Sequence, residues 1–391
     1  MRLVHAAKVI KRTMYIFFGF ILVFYTATEV GPSLYRDIFP APPEERPVLY
    51  KFSPIVFSTV SDYPSGENGI DLSNTKIIYR RNAQLDWTSL PQKTIKLYAI
   101  NQNLPEDIDY LQTAKGVALF LGYSDLNLVS TGVSDDKYIW GVPEDEILFV
   151  INKKNKKMEQ KINSISKLKN YLTSGEFVNA EFVTNNVKQF MVNSKKFNQQ
   201  EIQNTQFEST FLRFEGESLV ETPILSSEIA YVKAYNPLNG KKIVGNNYET
   251  PSNFMYVSSL RPEIAASKKN YRFPRFSIYK NEYVEVFNGE LFDLDPLPNV
   301  IDRVINSKDF VIRGITFNDF PHNGNRPKIF KIENISIESF EIAYFDDFQD
   351  GFGKNSIVQP IYLFKGNFDT STGQRGKIIL YAPAISPKYY N

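Results

Sequence analysis

Ile335-Ser336-Ile337-Glu338-Ser339-Phe340-Glu341-Ile342-Ala343-Tyr344 alternates apolar and polar residues, as a half-buried strand does. The alternation changes phase inside the segment. Ile335 and Ile337 share one parity, whereas Phe340, Ile342 and Tyr344 share the other. An extra residue near Glu338-Ser339 returns all five to one face, so the spacing predicts a β-bulge there. Downstream, Ile357 to Phe364 and Ile378 to Tyr381 are apolar on both parities, which predicts two paired strands covered on both sides, joined as a hairpin.

Upstream of this β region, Val300, Ile301, Val304 and Ile305 recur at helical spacing and predict a short helix over Pro298 to Ser307. Before it, Tyr283 to Phe287 and Glu290 to Leu294 flank Asn288-Gly289, the pair that suits a type I′ turn, and a hairpin is expected. Arg261 to Arg275 is polar, basic and carries two prolines, so it is expected to connect two lobes.

In the first half, Leu49 to Val60, Lys76 to Arg80 and Thr94 to Ile100 have strand composition. A helix begins at Pro105-Glu106-Asp107, buries Ile108, Leu111, Ala114, Ala118 and Leu121, and ends at Gly122. Tyr138 to Trp140 and Ile147 to Ile151 read as strands, the second running into a lysine-rich turn. Helices are expected in Ser164 to Thr173 and in Val183 to Lys196, where Val183, Val187, Phe190 and Met191 share a face. Hairpins are expected for Phe211 to Phe214 with Ser218 to Val220, and for Ile229 to Tyr235 with Lys241 to Val244. One helix followed by several strands thus recurs irregularly from Pro105, Val183 and Pro298. That favours α+β modules over a solenoid.

The N-terminus adds a different signal. Thr13 to Thr28 (TMYIFFGFILVFYTAT) carries no charge and follows Arg2, Lys8, Lys11 and Arg12. At about 1.5 Å per residue it spans roughly 24 Å, short of a hydrocarbon core of about 30 Å by an amount that flanking side chains or local thinning can absorb. The basic flank predicts a cytoplasmic N-terminus and an extracytoplasmic body. A cleaved secretory signal has the same layout, with Thr26-Ala27-Thr28 as small residues but no A-x-A pattern, and a buried helix is the third alternative. The expected organisation is a tail and transmembrane anchor over residues 1–28 and a proline-rich stalk over 29–48. An α+β lobe over 49–265 and a second over 266–391 follow, each an antiparallel sheet packed with short helices.

Composition excludes much chemistry. Among 391 residues there is no cysteine and there are two histidines, so thiol catalysis, disulfide frameworks and Cys- or His-rich metal sites fall away. Beyond residue 28, 41 of the 45 basic residues face all 43 acidic ones, a net charge of −2 that makes nucleic acid a poor partner. The 31 Phe, 23 Tyr and 2 Trp supply large cores and favour strands.

Individual candidates for chemistry are few. His322 lies in a loop sequence with no nucleophile motif beside it. S-x-x-K spacing occurs at Ser73/Lys76, Ser134/Lys137, Ser164/Lys167, Ser166/Lys169 and Ser277/Lys280, but S-D-N and K-T-G are absent. Asp346-Asp347-Phe348-Gln349-Asp350-Gly351 fails a calcium loop at Phe348 and Ile357. Glu144-Asp145-Glu146 and Asp293/Asp295 are carboxylate neighbours of unknown separation. Lys153, Lys154, Lys156 and Lys157 read as a solvated hairpin tip, and Trp87, Trp140 and Tyr389-Tyr390 as core before sugar platform. No catalytic, cofactor-binding or metal-ligating residue is nominated, and no small-molecule ligand is identified.

Two stretches carry a resemblance. Ala114-Lys115-Gly116-Val117-Ala118-Leu119-Phe120-Leu121-Gly122-Tyr123 with Tyr138-Ile139-Trp140 resembles the helix and following strand of PepSY-like envelope modules. Gln359-Pro360-Ile361-Tyr362-Leu363-Phe364-Lys365-Gly366 with Tyr381-Ala382-Pro383-Ala384-Ile385 is similar to the closing hairpin of YycH/YycI-type regulators. The resemblance implies a bacterial, single-pass cell-membrane protein with a non-catalytic ectodomain that restrains or tunes an envelope partner such as a sensor kinase. Its membrane contact would be lipid around the N-terminal helix. The alternative expectation is a wall or surface-polysaccharide enzyme working through carboxylates, or a carbohydrate-binding module.

Overall fold

The phase switch at Glu338-Ser339 is a bulge in a 16-residue strand, Phe330–Phe345, whose pairing with Ile357–Thr370 slips between Ile337 and Ser339. The computed structural model describes residues 14, 50–55, 57, 69–79, 93–101, 110–124, 127–130, 136–142, 146–318, 330–347 and 357–390. The chain divides into two compact units, Met1–Lys51, of which only Met14, Tyr50 and Lys51 are described, and Phe52–Asn391. The second unit holds every strand among the described residues.

In chain order the strands are β1 (Ile70–Asp71), β2 (Lys76–Tyr79), β3 (Thr94–Lys96), β4 (Tyr98–Ile100), β5 (Leu128–Ser130), β6 (Lys137–Val142), β7 (Ile147–Asn152) and β8 (Met158–Ile162). They continue as β9 (Gln206–Glu215), β10 (Ser218–Glu221), β11 (Ile229–Tyr235), β12 (Pro237–Leu238), β13 (Lys241–Val244), β14 (Phe254–Ser258) and β15 (Phe276–Ile278). The last six are β16 (Tyr283–Glu285), β17 (Leu291–Asp293), β18 (Val311–Phe317), β19 (Phe330–Phe345), β20 (Ile357–Thr370) and β21 (Arg375–Pro383). Among the described residues of this unit the α-helices are α1 (Tyr110–Phe120), α2 (Ala180–Asn193), α3 (Gln199–Asn204), α4 (Pro262–Ser267) and α5 (Leu297–Asp302). The fold is α+β with mostly antiparallel pairing.

One sheet has nine strands in the order β10-β9-β11-β14-β15-β8-β7-β6-β5. Its inner face is laid down by period-two burial, with Ile147, Phe149 and Ile151 of β7 beside Met158 and Ile162 of β8. Helices α1 and α2 cover that face through Ala114, Val117 and Ala118 and through Val183, Val187, Phe190 and Met191. Local chemistry fixes the helix ends. Gly122, at φ +91°, takes the left-handed position after α1, and the Asn179 side chain accepts the Phe182 amide at the start of α2.

The other main sheet is organised by β19 and β20. Antiparallel neighbours β20, β21 and β18 follow on one side of β19. Along its other edge three short strands from distant parts of the chain dock in parallel, β1 at Phe330, β2 at Asn334 and β13 at Tyr344. β4 pairs with both β20 and β16, and β3 with β17 forms a two-stranded ribbon. The two-sided burial expected of Ile357 to Phe364 and Ile378 to Tyr381 is found, and β20 and β21 are a hairpin.

Several expectations are corrected. Residues 50–55 form no strand and contribute one bridge, Phe52 to Tyr390. β11 and β13 do not pair, since the chain crosses between sheets at Asn236 and the turn at Asn239-Gly240 closes the β12–β13 hairpin instead. The flanks of Asn288-Gly289 also do not pair with each other. Phe287, Asn288 and Gly289 all have positive φ, and the strands on either side splay to meet β4 and β3. Arg261 to Arg275 folds as α4 and a 3₁₀ turn that join β14 to β15 within one sheet. Sheet membership crosses position 265 in both directions: β15 completes the nine-stranded sheet, while β1, β2, β4, β12 and β13 complete the ten-stranded one.

No helix among the described residues is long and apolar enough to cross a membrane. Residues 13–28 lie outside the described residues except for Met14, and the stalk residues 29–48 lie outside them entirely.

A polar knot ties the nine-stranded sheet to its covering segments. Buried Gln160 on β8 donates through Nε2 to the Asn270 and Phe273 carbonyls at 2.8 and 2.7 Å, and its Oε1 accepts from the Tyr123 hydroxyl at 3.1 Å. Gln160→Leu would remove the donor that the Asn270 and Phe273 carbonyls share and the acceptor of the Tyr123 hydroxyl. The expected loss is about 2–4 kcal/mol, read by denaturant unfolding against wild type, and an unchanged midpoint would contradict the knot's role.

Candidate functional site

The candidates read from the sequence do not assemble into a reaction centre among the described residues. His322, Ser134, Trp87, Glu144, Asp145 and residues 348–351 lie outside the described residues. Lys167 Nζ reaches Glu146 at 2.5 Å, Lys169 the Gly216 carbonyl at 3.3 Å and Lys280 Glu201 at 2.6 Å, so these three ammoniums serve partners other than the serines three positions before them. Ser73 sits in a turn closed by its own amide on Asp71, and Ser277 is buried in β15.

The acids are occupied in the same way. Asp295 is buried and pairs with Arg303, while Asp293 accepts from Lys388 at 2.8 Å and from the Tyr389 hydroxyl at 3.0 Å. Asp346 accepts from Asn281 and Tyr283, both at 2.8 Å. Burial, and then the Asp346 charge, holds the Tyr283 phenol well above its ordinary pKa, so it donates and does not ionise. No group of three metal-binding side chains occurs among the described residues. Trp140 and Tyr389 are buried, which removes them as sugar-stacking platforms.

A cleft of about 570 Å³ opens beside α3 and β12. Of its two lining carboxylates, Glu282 is exposed on the rim, and Glu201 has both oxygens in use. Its Oε2 accepts the Asn198 amide at 3.0 Å in the capping box of α3, and its Oε1 takes Lys280. The cleft's charges therefore hold its walls together.

Behind β13 lies a seam of charges between the two sheets. Lys242, 7% exposed at its side chain, bridges Glu208 of β9 at 2.9 Å and Glu341 of β19 at 3.2 Å, and Lys365 of β20 reaches Glu341 at 3.0 Å. The Tyr248 hydroxyl donates to Glu208 at 2.9 Å, and its ring stacks on Tyr235 at 5.5 Å. Burial pushes the Glu208 carboxyl up, but the Lys242 hydrogen bond and charge, with Lys365 behind them, hold it down at about 2.

The feature best suited to binding is on the outer face of β5, β6 and β7. Trp140 and Phe149 point inward, so Ile139 and Gly141 of β6 and Leu148 and Val150 of β7 point out. Val129 of β5 joins them at a register shift and is 67% exposed, and Leu148 is 45% exposed. Gly141 makes this a continuous strip: a Cβ there would meet Leu148 Cδ2 at 3.1 Å and Val129 Cγ2 at 3.2 Å, so both side chains lean over bare backbone.

Two further properties fit a docking role. β5 ends the sheet, and its outer edge pairs with nothing among the described residues. The rim is lysine-rich, with Lys137, Lys153, Lys154 and Lys161 against Asp136 and Glu159. The strip is hard to see in the sequence because Val129 is a single residue at a bulge and Gly141 has no side chain. The run Leu148-Phe149-Val150, apolar on both parities, is the available signal.

No family model, no curated protein and no solved structure matches the chain.

Proposed function

We propose that this chain is a single-pass, membrane-anchored extracytoplasmic protein that binds and regulates a neighbouring envelope protein, of the sensor-kinase type, without catalysing a reaction. The observation that carries this reading is the apolar strip of Val129, Gly141 and Leu148 beside the open edge of β5. An exposed apolar patch bordered by charge is the surface a soluble domain keeps for a partner. Residues 13–28 supply the anchor and 29–48 the stalk in this reading, with the bulk outside the cell. The PepSY-like lobes are then the two large sheets, each assembled from discontinuous stretches.

The occupant is the ectodomain of another membrane-tethered protein. It adds an extended segment to β5, lays an apolar side chain against Val129 and Leu148, and carries acids on its own rim to meet the lysines. A shared membrane raises local concentration, so a modest contact is occupied.

A photo-crosslinking residue at Leu148 of the full chain in native membranes tests this. A single membrane-protein adduct is expected, reduced at least tenfold by Val129→Asp and lost on deleting residues 1–28. An adduct indifferent to both changes, or none at all, would overturn the reading.

A further inference from the structure

The ten-stranded sheet carries a second feature, independent of the docking strip, at the end of β19 and β20 away from the Lys242 seam. Between the register shifts at Ile332/Asn334 and Ile337/Ser339, β19 is bent at both ends, and the intervening segment forms the floor of a trough of about 420 Å³. Pairing register sets what lines it. Ser336 faces Asn367 across β20, Asn334 faces Asp369, and Asp369 faces Arg375 of β21. Asn318 closes the far side, its amide held by the Arg375 carbonyl at 2.9 Å.

The hydrogen-bonding capacity of this trough is mostly unspent. Asn367 donates to Glu338 at 2.6 Å, and Asp369 accepts from Arg375 at 3.3 Å. The side-chain amides of Asn318 and Asn334 make no hydrogen bond among the described residues, and the buried Ser336 hydroxyl has no partner. Each amide offers a carbonyl acceptor next to an NH₂ donor, and the hydroxyl offers both roles on one atom.

Charge narrows the class of ligand. Glu338 and Asp369 are balanced by Arg375 and the neighbouring Lys377, so the trough selects neither a polyanion nor a polycation. Adjacent donors and acceptors without net charge match groups that donate and accept at once, which are the hydroxyls of a sugar. The volume lies within the few-hundred-Å³ range of small-ligand sites. Phe368 lines the trough but is buried, its ring packed edge to face on Phe317 at 5.1 Å and stacked on Phe330 at 6.2 Å, so no ring stacks on the ligand and binding rests on hydrogen bonds.

We infer that the trough built around Asn334, Ser336 and Asn367 is a binding site for a neutral saccharide chain. Such a site, lacking an aromatic platform, binds at roughly millimolar strength per unit. It gains occupancy from a repeating polymer, where one chain presents many units.

The test is saturation-transfer NMR on the full chain with chitotetraose and with maltotetraose. At least one should receive saturation, and its dissociation constant should rise about tenfold in the Asn334→Ala, Ser336→Ala double variant and in the isosteric Asn367→Asp, which sets a second carboxylate beside Glu338. Unchanged melting temperatures in both variants would tie the loss to the site. Three results would overturn the inference: no transfer to either sugar at about 10 mM, equal binding by the variants, or displacement of the sugar by inorganic phosphate at equal concentration.

Discussion

Lys242→Ala is expected to remove about 2–3 kcal/mol of folding stability, less than a fully buried pair would lose because both carboxylates keep some solvent, yet a large share of what holds a domain together. The lysine sits 7% exposed between Glu208 and Glu341, which belong to different sheets. Truncation leaves two carboxylates facing each other with only Lys365 between them, at 3.5 Å from Glu208 and 3.0 Å from Glu341. The pH dependence has a defined sign. The Glu208 carboxyl is held down at about 2 in the folded protein against an ordinary value of 4.5, so its contribution is complete above pH 4.5 and is lost as pH falls toward 2. The gap between wild type and Lys242→Ala should therefore be full at neutral pH and shrink through that acidic window. Chemical denaturation at several pH values reads this, and a gap independent of pH would show that Lys242 acts through packing alone.

Gly376→Ala is the second large effect. A Cβ at this position would lie 2.1 Å from the Thr316 carbonyl oxygen and 2.7 Å from Phe368 Cε1. The carbonyl cannot retreat, because β18 is paired to β21 at Phe317 and Gly376 and the Phe317 and Phe368 rings pack edge to face at 5.1 Å. A loss above about 3 kcal/mol is expected, visible as insoluble expression or a collapsed unfolding midpoint. Gly116→Ala is the internal control. It lies inside α1 with nothing within 4 Å of the added methyl, and should stabilise by about 0.5–1 kcal/mol. Wild-type stability for Gly376→Ala would refute the close approach of these strands.

The contrast between these two glycines shows where sequence is informative. Gly116 falls in a helical pattern that can be read directly, as can the Val183 to Met191 stripe of α2 and the bulge that puts Phe340, Ile342 and Tyr344 in phase with Ile335. All depend on contacts within a few residues. Gly376 depends on a backbone some sixty residues earlier, and no local pattern records that. The same limit explains the hairpin expected at Asn288-Gly289. The turn chemistry is legible and the positive φ values are present, but a turn does not specify which strand its flanks will find, and here they find β4 and β3. β13 likewise leaves its chain neighbour β11 to pair with the edge of β19 some hundred residues further along, a choice no local pattern records.

The candidate surfaces are less legible still. Alternation predicts that Asn334, Ser336 and Glu338 share the polar face of their segment, but not that Asn367 and Asp369 lie opposite. The docking strip depends on an absent side chain at Gly141, visible only once Leu148 and Val129 are placed on either side of it.

The absence of any native cysteine allows one measurement to address the central claim, since a single introduced thiol reports alone. Leu148→Cys lies on the apolar strip, and Thr372→Cys lies on the exposed turn between β20 and β21. Each full-length variant is treated with a membrane-impermeant maleimide, in intact cells and after purification. Thr372→Cys is expected to label in intact cells, while Leu148→Cys should label readily when purified and be protected in cells by its partner. Equal labelling of Leu148→Cys in both settings would mean that nothing docks there, and failure of Thr372→Cys to label in intact cells would place the body of the protein on the wrong side of the membrane.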